Sequence, residues 1–277
     1  MSTHLEKALL FRSLHAEGRP LLLANVWDVA GARIVEAAGA SAIATTSAGV
    51  SWSLGTADGD RLDRSMALEL IARVAASVSV PVTADIESGF ADGPGGVAET
   101  VRGVLDAGAV GINLEDAHHG GPTSLRPVGE QADRIAAARR AADEAGIPLF
   151  VNARIDTYLR AVGDPATRLN ETLDRAAAYV EAGADGIFIP GLLDSETLPV
   201  LVEKVSVPLN VLAGPGAPAV ATLADLGVAR ISLGSSIAET AYAVARRAAL
   251  ELFGSGTYTA LAGALDYSEV NVLLADA

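Results

Sequence analysis

Short apolar runs alternate with amphipathic stretches along almost the whole chain. Four of the runs follow a repeated phrase of small residues: Ala38-Gly39-Ala40-Ser41-Ala42-Ile43, Ala107-Gly108-Ala109-Val110-Gly111-Ile112, Ala182-Gly183-Ala184-Asp185-Gly186-Ile187 and the looser Leu226-Gly227-Val228-Ala229-Arg230-Ile231. Each reads as a helix end with glycine at its C-cap, then a buried parallel strand. Three more runs open on a Val/Ile-Pro pair, at Val80-Pro81, Ile147-Pro148 and Val207-Pro208. Proline is tolerated at a strand's first residue. With Leu21-Leu22-Leu23-Ala24-Asn25 the runs number eight, and segments such as Met66 to Ser77, Ala132 to Ala145 and Arg168 to Ala182 carry helical periodicity between them. Eight similar β and α units predict an α/β protein with a (β/α)8 TIM barrel over about residues 20–240. A doubly wound open sheet alternates in the same way but rarely needs so many units. Beyond the barrel, at about residues 238–277, helices are expected over Ala238 to Phe253 and Tyr258 to Leu274. They are more apolar than a solvated tail needs, so they either close their own barrel or pack on a partner subunit.

No Pro/Ser-rich or highly charged stretch divides the 277 residues, so one domain over 1–277 is expected. A formal charge of −14 repels phosphate backbones and anionic lipid, which argues against nucleic acid and membrane surfaces as partners. A small anionic substrate would feel the same repulsion, so its site needs a bound metal or a placed arginine. The absence of cysteine removes disulfides, thiolate metal sites and a cysteine nucleophile. No apolar run is long enough to cross a bilayer or to act as a signal segment, and a cytoplasmic location is expected.

Barrel enzymes place their chemistry at the C-terminal strand ends. There the third strand runs into Asp85-Ile86-Glu87-Ser88-Gly89-Phe90, the fourth into Asn113-Leu114-Glu115-Asp116 and the fifth into Asn152-Ala153-Arg154-Ile155-Asp156. A single acid just past a strand is often only a helix N-cap. A cluster on three neighbouring strands is more than that: its carboxylates repel, and a proton or a hard divalent cation must relieve them. Oxygen ligands without thiolates point to Mg²⁺ or Mn²⁺, and Arg154 would neutralise a substrate carboxylate. Asp116 and Asp156 alternate away from Glu115 and Arg154 and read as caps or supports. Thr45-Thr46-Ser47-Ala48-Gly49 after the second strand offers hydroxyls and backbone N–H groups to an anion, or is simply a polar turn. The two lysines, Lys7 and Lys204, lie away from strand ends, which argues against Schiff-base chemistry. His118 and His119, on the loop after the fourth strand, are acid/base candidates, with a loop-surface role as the competing reading.

Taken in order, Thr46-Ser47-Ala48-Gly49, Leu54-Gly55-Thr56-Ala57-Asp58, Asp85-Ile86-Glu87-Ser88-Gly89-Phe90, Asn113-Leu114-Glu115-Asp116 and Ala153-Arg154 resemble the isocitrate lyase / phosphoenolpyruvate mutase superfamily. The resemblance implies Mg²⁺ held partly through water by Asp85, Glu87 and Glu115, with Asp58 closing near it. It also implies a substrate carboxylate and carbonyl held by the Ser47-Ala48-Gly49 backbone and Arg154. Asn210 on the seventh strand joins the substrate-binding candidates. Members break or form a C–C or C–P bond beside a 2-oxo acid through an enolate, and are typically dimers or tetramers that exchange their last helix. The chain departs from the family on the loop after Glu115. Thr123 stands where lyases carry a cysteine acid/base, and a hydroxyl is a far weaker acid than a thiol. Gly121 stands where the phosphonate enzymes carry a lysine, Pro190 where mutases carry a histidine, and Glu87 where the metal pattern has an aspartate.

The expected function is a Mg²⁺-dependent carbon-bond lyase on a small 2-oxo or 2-hydroxy acid, with any proton moved by His118, His119 or a metal-bound water. One alternative is a C–P enzyme of the phosphoenolpyruvate mutase or phosphonopyruvate hydrolase type. Another is a phosphate-dependent barrel using Ala213-Gly214-Pro215-Gly216 and Leu233-Gly234-Ser235-Ser236. A third is a non-catalytic oxo-acid-binding protein.

Overall fold

The small-residue phrases turn as their composition dictates. Gly39, Gly108, Gly183 and Gly227 all take positive φ, at 98°, 88°, 105° and 85°, so each helix stops and the chain swings into a strand. The computed structural model describes residues 3–16 and 18–275. Its strands are β1 (Leu21–Leu23), β2 (Ile43–Ala44), β3 (Val82–Asp85), β4 (Gly111–Glu115), β5 (Phe150–Arg154), β6 (Gly186–Phe188), β7 (Leu209–Leu212) and β8 (Arg230–Ser232). They pair in parallel in the order β1-β8-β7-β6-β5-β4-β3-β2, the expected (β/α)8 barrel. Between β1 and β2 the ring is closed by a single bridge, Val26 to Thr45. β1 ends two residues short of Asn25, whose side chain ties both neighbours together: Nδ2 donates to the Thr45 carbonyl, and Oδ1 accepts from the N–H groups of Leu233 and Gly234.

An outer ring consists of α2 (Val29–Ala37), α4 (Arg64–Ser77), α5 (Pro94–Asp106), α6 (Val128–Glu144), α7 (Arg168–Glu181), α8 (Thr197–Lys204), α9 (Val220–Asp225) and α10 (Ser236–Ser255). α1 (His4–Ser13) plugs the N-terminal end of the barrel: its buried Phe11 meets Phe150 edge-on at 5.7 Å. Gly111 makes this plug possible, since a Cβ there would lie 2.6 Å from the Phe11 ring and 2.7 Å from the Thr83 hydroxyl. α3 (Ser47–Ser53) sits at the opposite end, after β2. The helix expected over Tyr258 to Leu274 is corrected to a short 3-10 turn, Thr259–Leu261, and a separate α11 (Tyr267–Ala275). Gly256, at φ 67°, ends α10, and Gly263, at φ 81°, is the break between the turn and α11. α11 returns to its own barrel, where Arg33 on α2 donates to the Leu273 carbonyl at 2.8 Å.

The barrel interior is polar, which nothing in the strand pattern foretold. Arg230, 1% exposed, donates to Asn113 Oδ1 at 3.1 Å, and Asn152 donates to the same oxygen at 2.9 Å. Ser232 donates to Asn210 at 3.3 Å. Burial lowers the Arg230 pKa to about 9 against the opposing pull of Asp85.

Candidate active site

The C-terminal strand ends bring most of the expected residues together. Asp85, last in β3, accepts from the Ser47 hydroxyl at 3.1 Å and backbone N–H at 3.4 Å, while its own N–H donates to the Thr45 hydroxyl. Thr46, Ser47, Ala48 and Gly49 thus cap and open α3 beside Asp85, and Gly49 packs against Trp27 too closely for a Cβ. Glu115, last in β4, is 4% exposed and holds two partners: His119 Nε2 at 2.7 Å and Arg154 at 2.6 Å. Arg154, last in β5, is clamped from behind by Asp156, whose two carboxylate oxygens accept from Nε at 2.6 Å and from a terminal nitrogen at 2.9 Å. Asp156 is steadied in turn by Asp116, which accepts its N–H at 3.0 Å and also accepts from Arg175 and Tyr179.

Not every candidate points inward. His118 lays its ring over Gly121, and its backbone N–H donates to the Ser124 carbonyl within the hairpin closed by the Ala117–Leu125 bridge, so only His119 reaches Glu115. Thr123 donates to the Leu125 carbonyl. Glu87 is 2% exposed at φ 51°, and its Oε2 accepts from the backbone N–H groups of Gly59 and Asp60. Its Oε1 is buried with no hydrogen-bond partner among the described residues. Asn210 sits beneath the mouth, 1% exposed, and its amide nitrogen also lacks a partner there. Among the described residues no three His, Asp or Glu side chains stand close enough to hold an ion directly.

The charges of the site act on one another. Burial raises Asp85 to about 6 and Glu87 to about 8. Burial and the neighbouring Glu115 raise Asp58, which also feels Ser47, Arg154 and His119 and therefore belongs to this cluster. Burial works to raise Glu115 as well, but Arg154 and His119 overcome it and hold it below its usual range. The hydrogen bond to Glu115 raises His119. Beside the cluster opens a cleft of about 1140 Å³, walled in part by Asp58, Asp60, Phe90, His119 and Arg126. Sequence reading missed Asp60, Arg160 and Arg230. Arg160 is signalled by its spacing, one helical turn beyond Asp156, to which it donates at 3.2 Å. Arg230 gave no signal.

Residues 11–253 match the phosphoenolpyruvate phosphomutase family. An uncharacterised protein of Mycobacterium tuberculosis is 40% identical over 226 residues, 81% of each chain. The 2-methylisocitrate lyase of Bacillus subtilis is 30% identical over 217 residues, 75% of this chain and 67% of that one. Among solved structures, a lyase/mutase-type protein of Burkholderia cenocepacia superimposes with a TM-score of 0.92 at 38% identity, covering 98% of this chain and 97% of the other. A phosphonopyruvate hydrolase in complex with oxalate and Mg²⁺ does so with a TM-score of 0.84 at 27% identity, covering 98% and 95%.

Proposed function

The chain belongs to the phosphoenolpyruvate phosphomutase family, within the isocitrate lyase / phosphoenolpyruvate mutase superfamily, and from that premise we propose a divalent-metal-dependent lyase that breaks a carbon bond beside a small 2-oxo or 2-hydroxy acid. The observation that carries the reading is the gathering of Asp58, Asp85, Glu87 and Glu115, carboxylates that act on one another, with one oxygen of Glu87 buried and without a partner among the described residues. Such a crowd fits a cation. Asp85, Glu87 through Oε1 and Glu115 would hold Mg²⁺ or Mn²⁺, partly through water. When bound, the ion supplies positive charge against the substrate oxygen on which negative charge develops.

The chain's own residues do the rest. Arg154, pre-aimed by Asp156, binds the substrate carboxylate, with the backbone N–H groups of Ala48 and Gly49 and the Asn210 amide as further donors. His119 Nε2, hydrogen-bonded to Glu115, is the group placed to hold or deliver a proton at the mouth. Thr123, turned into its hairpin, takes no part.

Calorimetric titration of oxalate tests the reading, with Mg²⁺ present and then with EDTA. Metal-dependent binding supports it and opens a screen of 2-oxo and 2-hydroxy acids for cleavage. Absence of binding in both conditions sinks it. A phosphonopyruvate hydrolase from Variovorax is 34% identical over 170 residues, so phosphonopyruvate belongs in the screen, with phosphate release as the sign of C–P cleavage. Oxalate binding with no turnover of any compound would favour a binding protein.

A further inference from the structure

The loop before α4 carries Asp58 into the site, and two carboxylates hold it there reciprocally. Glu87, from the β3 end, reaches up so that its Oε2 accepts from the N–H groups of Gly59, at 2.9 Å, and Asp60. Asp60 reaches down so that Oδ1 accepts from the Ser88 N–H at 3.2 Å and Oδ2 from the Ser88 hydroxyl. Both acids take the left-handed backbone conformation, Asp60 at φ 56° and Glu87 at φ 51°. That conformation is costly for a residue with a side chain, so the contacts made there must over-determine it.

The lower half of this clasp cannot shift to meet the loop. The Glu87 carbonyl accepts from the Glu115 N–H at 3.0 Å, and the buried Arg134 on α6 donates to the carbonyls of Ser88 and Asp92. The upper half is pressed against the rest of the site, since a Cβ on Gly59 would lie 3.0 Å from His119 Nδ1. With the backbone fixed below, the length of the side chain at 87 decides whether the loop is reached. An aspartate, the residue of the pattern this chain resembles, is one methylene shorter.

We infer that Glu87 and Asp60 are positioning residues, a two-carboxylate latch that holds the 58–60 segment closed and so keeps Asp58 beside Asp85 and Glu115. The longer acid at position 87 spends one oxygen on the loop and keeps the other for the interior. The part Asp58 plays in a reaction rests on the proposed function, but the latch does not.

Hydrogen–deuterium exchange of the metal-free full chain tests it, with peptides covering 54–63 compared with β5 peptides in the same sample. Glu87→Asp and Asp60→Ala should each speed exchange at the 59–60 amides by about tenfold while β5 stays protected. Glu87→Gln keeps both length and acceptor oxygen and should stay near wild type, so it separates reach from charge. The double variant Glu87→Asp/Asp60→Ala should be little faster than either single one, because both remove the same clasp. Wild-type exchange in Glu87→Asp, acceleration shared equally with β5, a fast Glu87→Gln, or additive effects in the double variant would each overturn the latch. Since neither metal nor substrate is present, a failure of oxalate binding leaves this result standing.

Discussion

Glu115 shows how far one acid's behaviour depends on what stands beside it. Arg154 and His119 keep it ionised despite burial, whereas Asp85 and Glu87, at the end of the neighbouring strand, are pushed up to about 6 and about 8. Groups raised on folding bind protons more readily in the folded chain, so the stability they contribute is present at low pH and lost as pH rises through those values. Metal-free protein is therefore expected to melt at a lower temperature near pH 8 than near pH 6, and Glu87→Gln to flatten the upper part of that decline. Added Mn²⁺ should restore the melting temperature. Thermal melts across pH in EDTA check this, and a flat wild-type profile would contradict it. Asp85→Asn and Glu115→Gln are expected to abolish oxalate binding while the far-ultraviolet circular dichroism is unchanged. Asp85, Glu115 and Arg154 were legible in the sequence because a strand end in a barrel faces one place. The aim of Glu87 was not, because it depends on a positive φ that only the surrounding contacts impose. The parting of His118 from His119 was equally hidden, since it is made by a hairpin whose partner, Leu125, lies beyond the motif.

The ends of β4 and β5 reach the site with support from α7. Tyr179 and Arg175 on α7 meet on Asp116 after β4; Asp116 holds the Asp156 backbone, and Asp156 aims Arg154. Removing the Tyr179 hydroxyl leaves a buried carboxylate one donor short, so Tyr179→Phe should cost about 1–3 kcal/mol in urea unfolding. Asp156→Ala should weaken oxalate binding more than it weakens the fold, because Arg154 would then be free to close fully onto Glu115. At the other end of the barrel, Gly111→Ala forces a methyl against Phe11 and Thr83 and should cost about 1–3 kcal/mol by overpacking. The elements themselves were readable from their own residues: glycine stops the helices, and proline opens three of the runs. The tail was read less well. Its apolar content argues for burial, but content alone does not show that the chain breaks at Gly263 into a turn and α11.

The molecule carries a net charge of −14, yet it leaves large apolar side chains in water along its C-terminal segment, Phe253 at 85% and Tyr267 at 86% exposure. A second copy of the chain is the expected cover, and light scattering should return a dimer or tetramer that Phe253→Glu shifts toward monomer. A monomer for the wild type would contradict this. The barrel's architecture was legible because its units repeat, whereas its polar interior was not, because an inward arginine in Val-Ala-Arg-Ile-Ser has no local mark. The ring itself has a consequence in time. β1 pairs with β8, and the Asn25 side chain receives the Gly234 N–H across 209 residues of chain, while its other neighbour, β2, offers little more than a bridge at Val26. Contacts so distant in sequence close late, because the intervening chain must first be ordered. Among the barrel's strands, Leu21–Leu23 is therefore the first to be synthesised and the last to find its neighbour. A chain stopped before Arg230 would present open edges on both sides of the gap, and should be recovered as aggregate where the full chain is recovered folded.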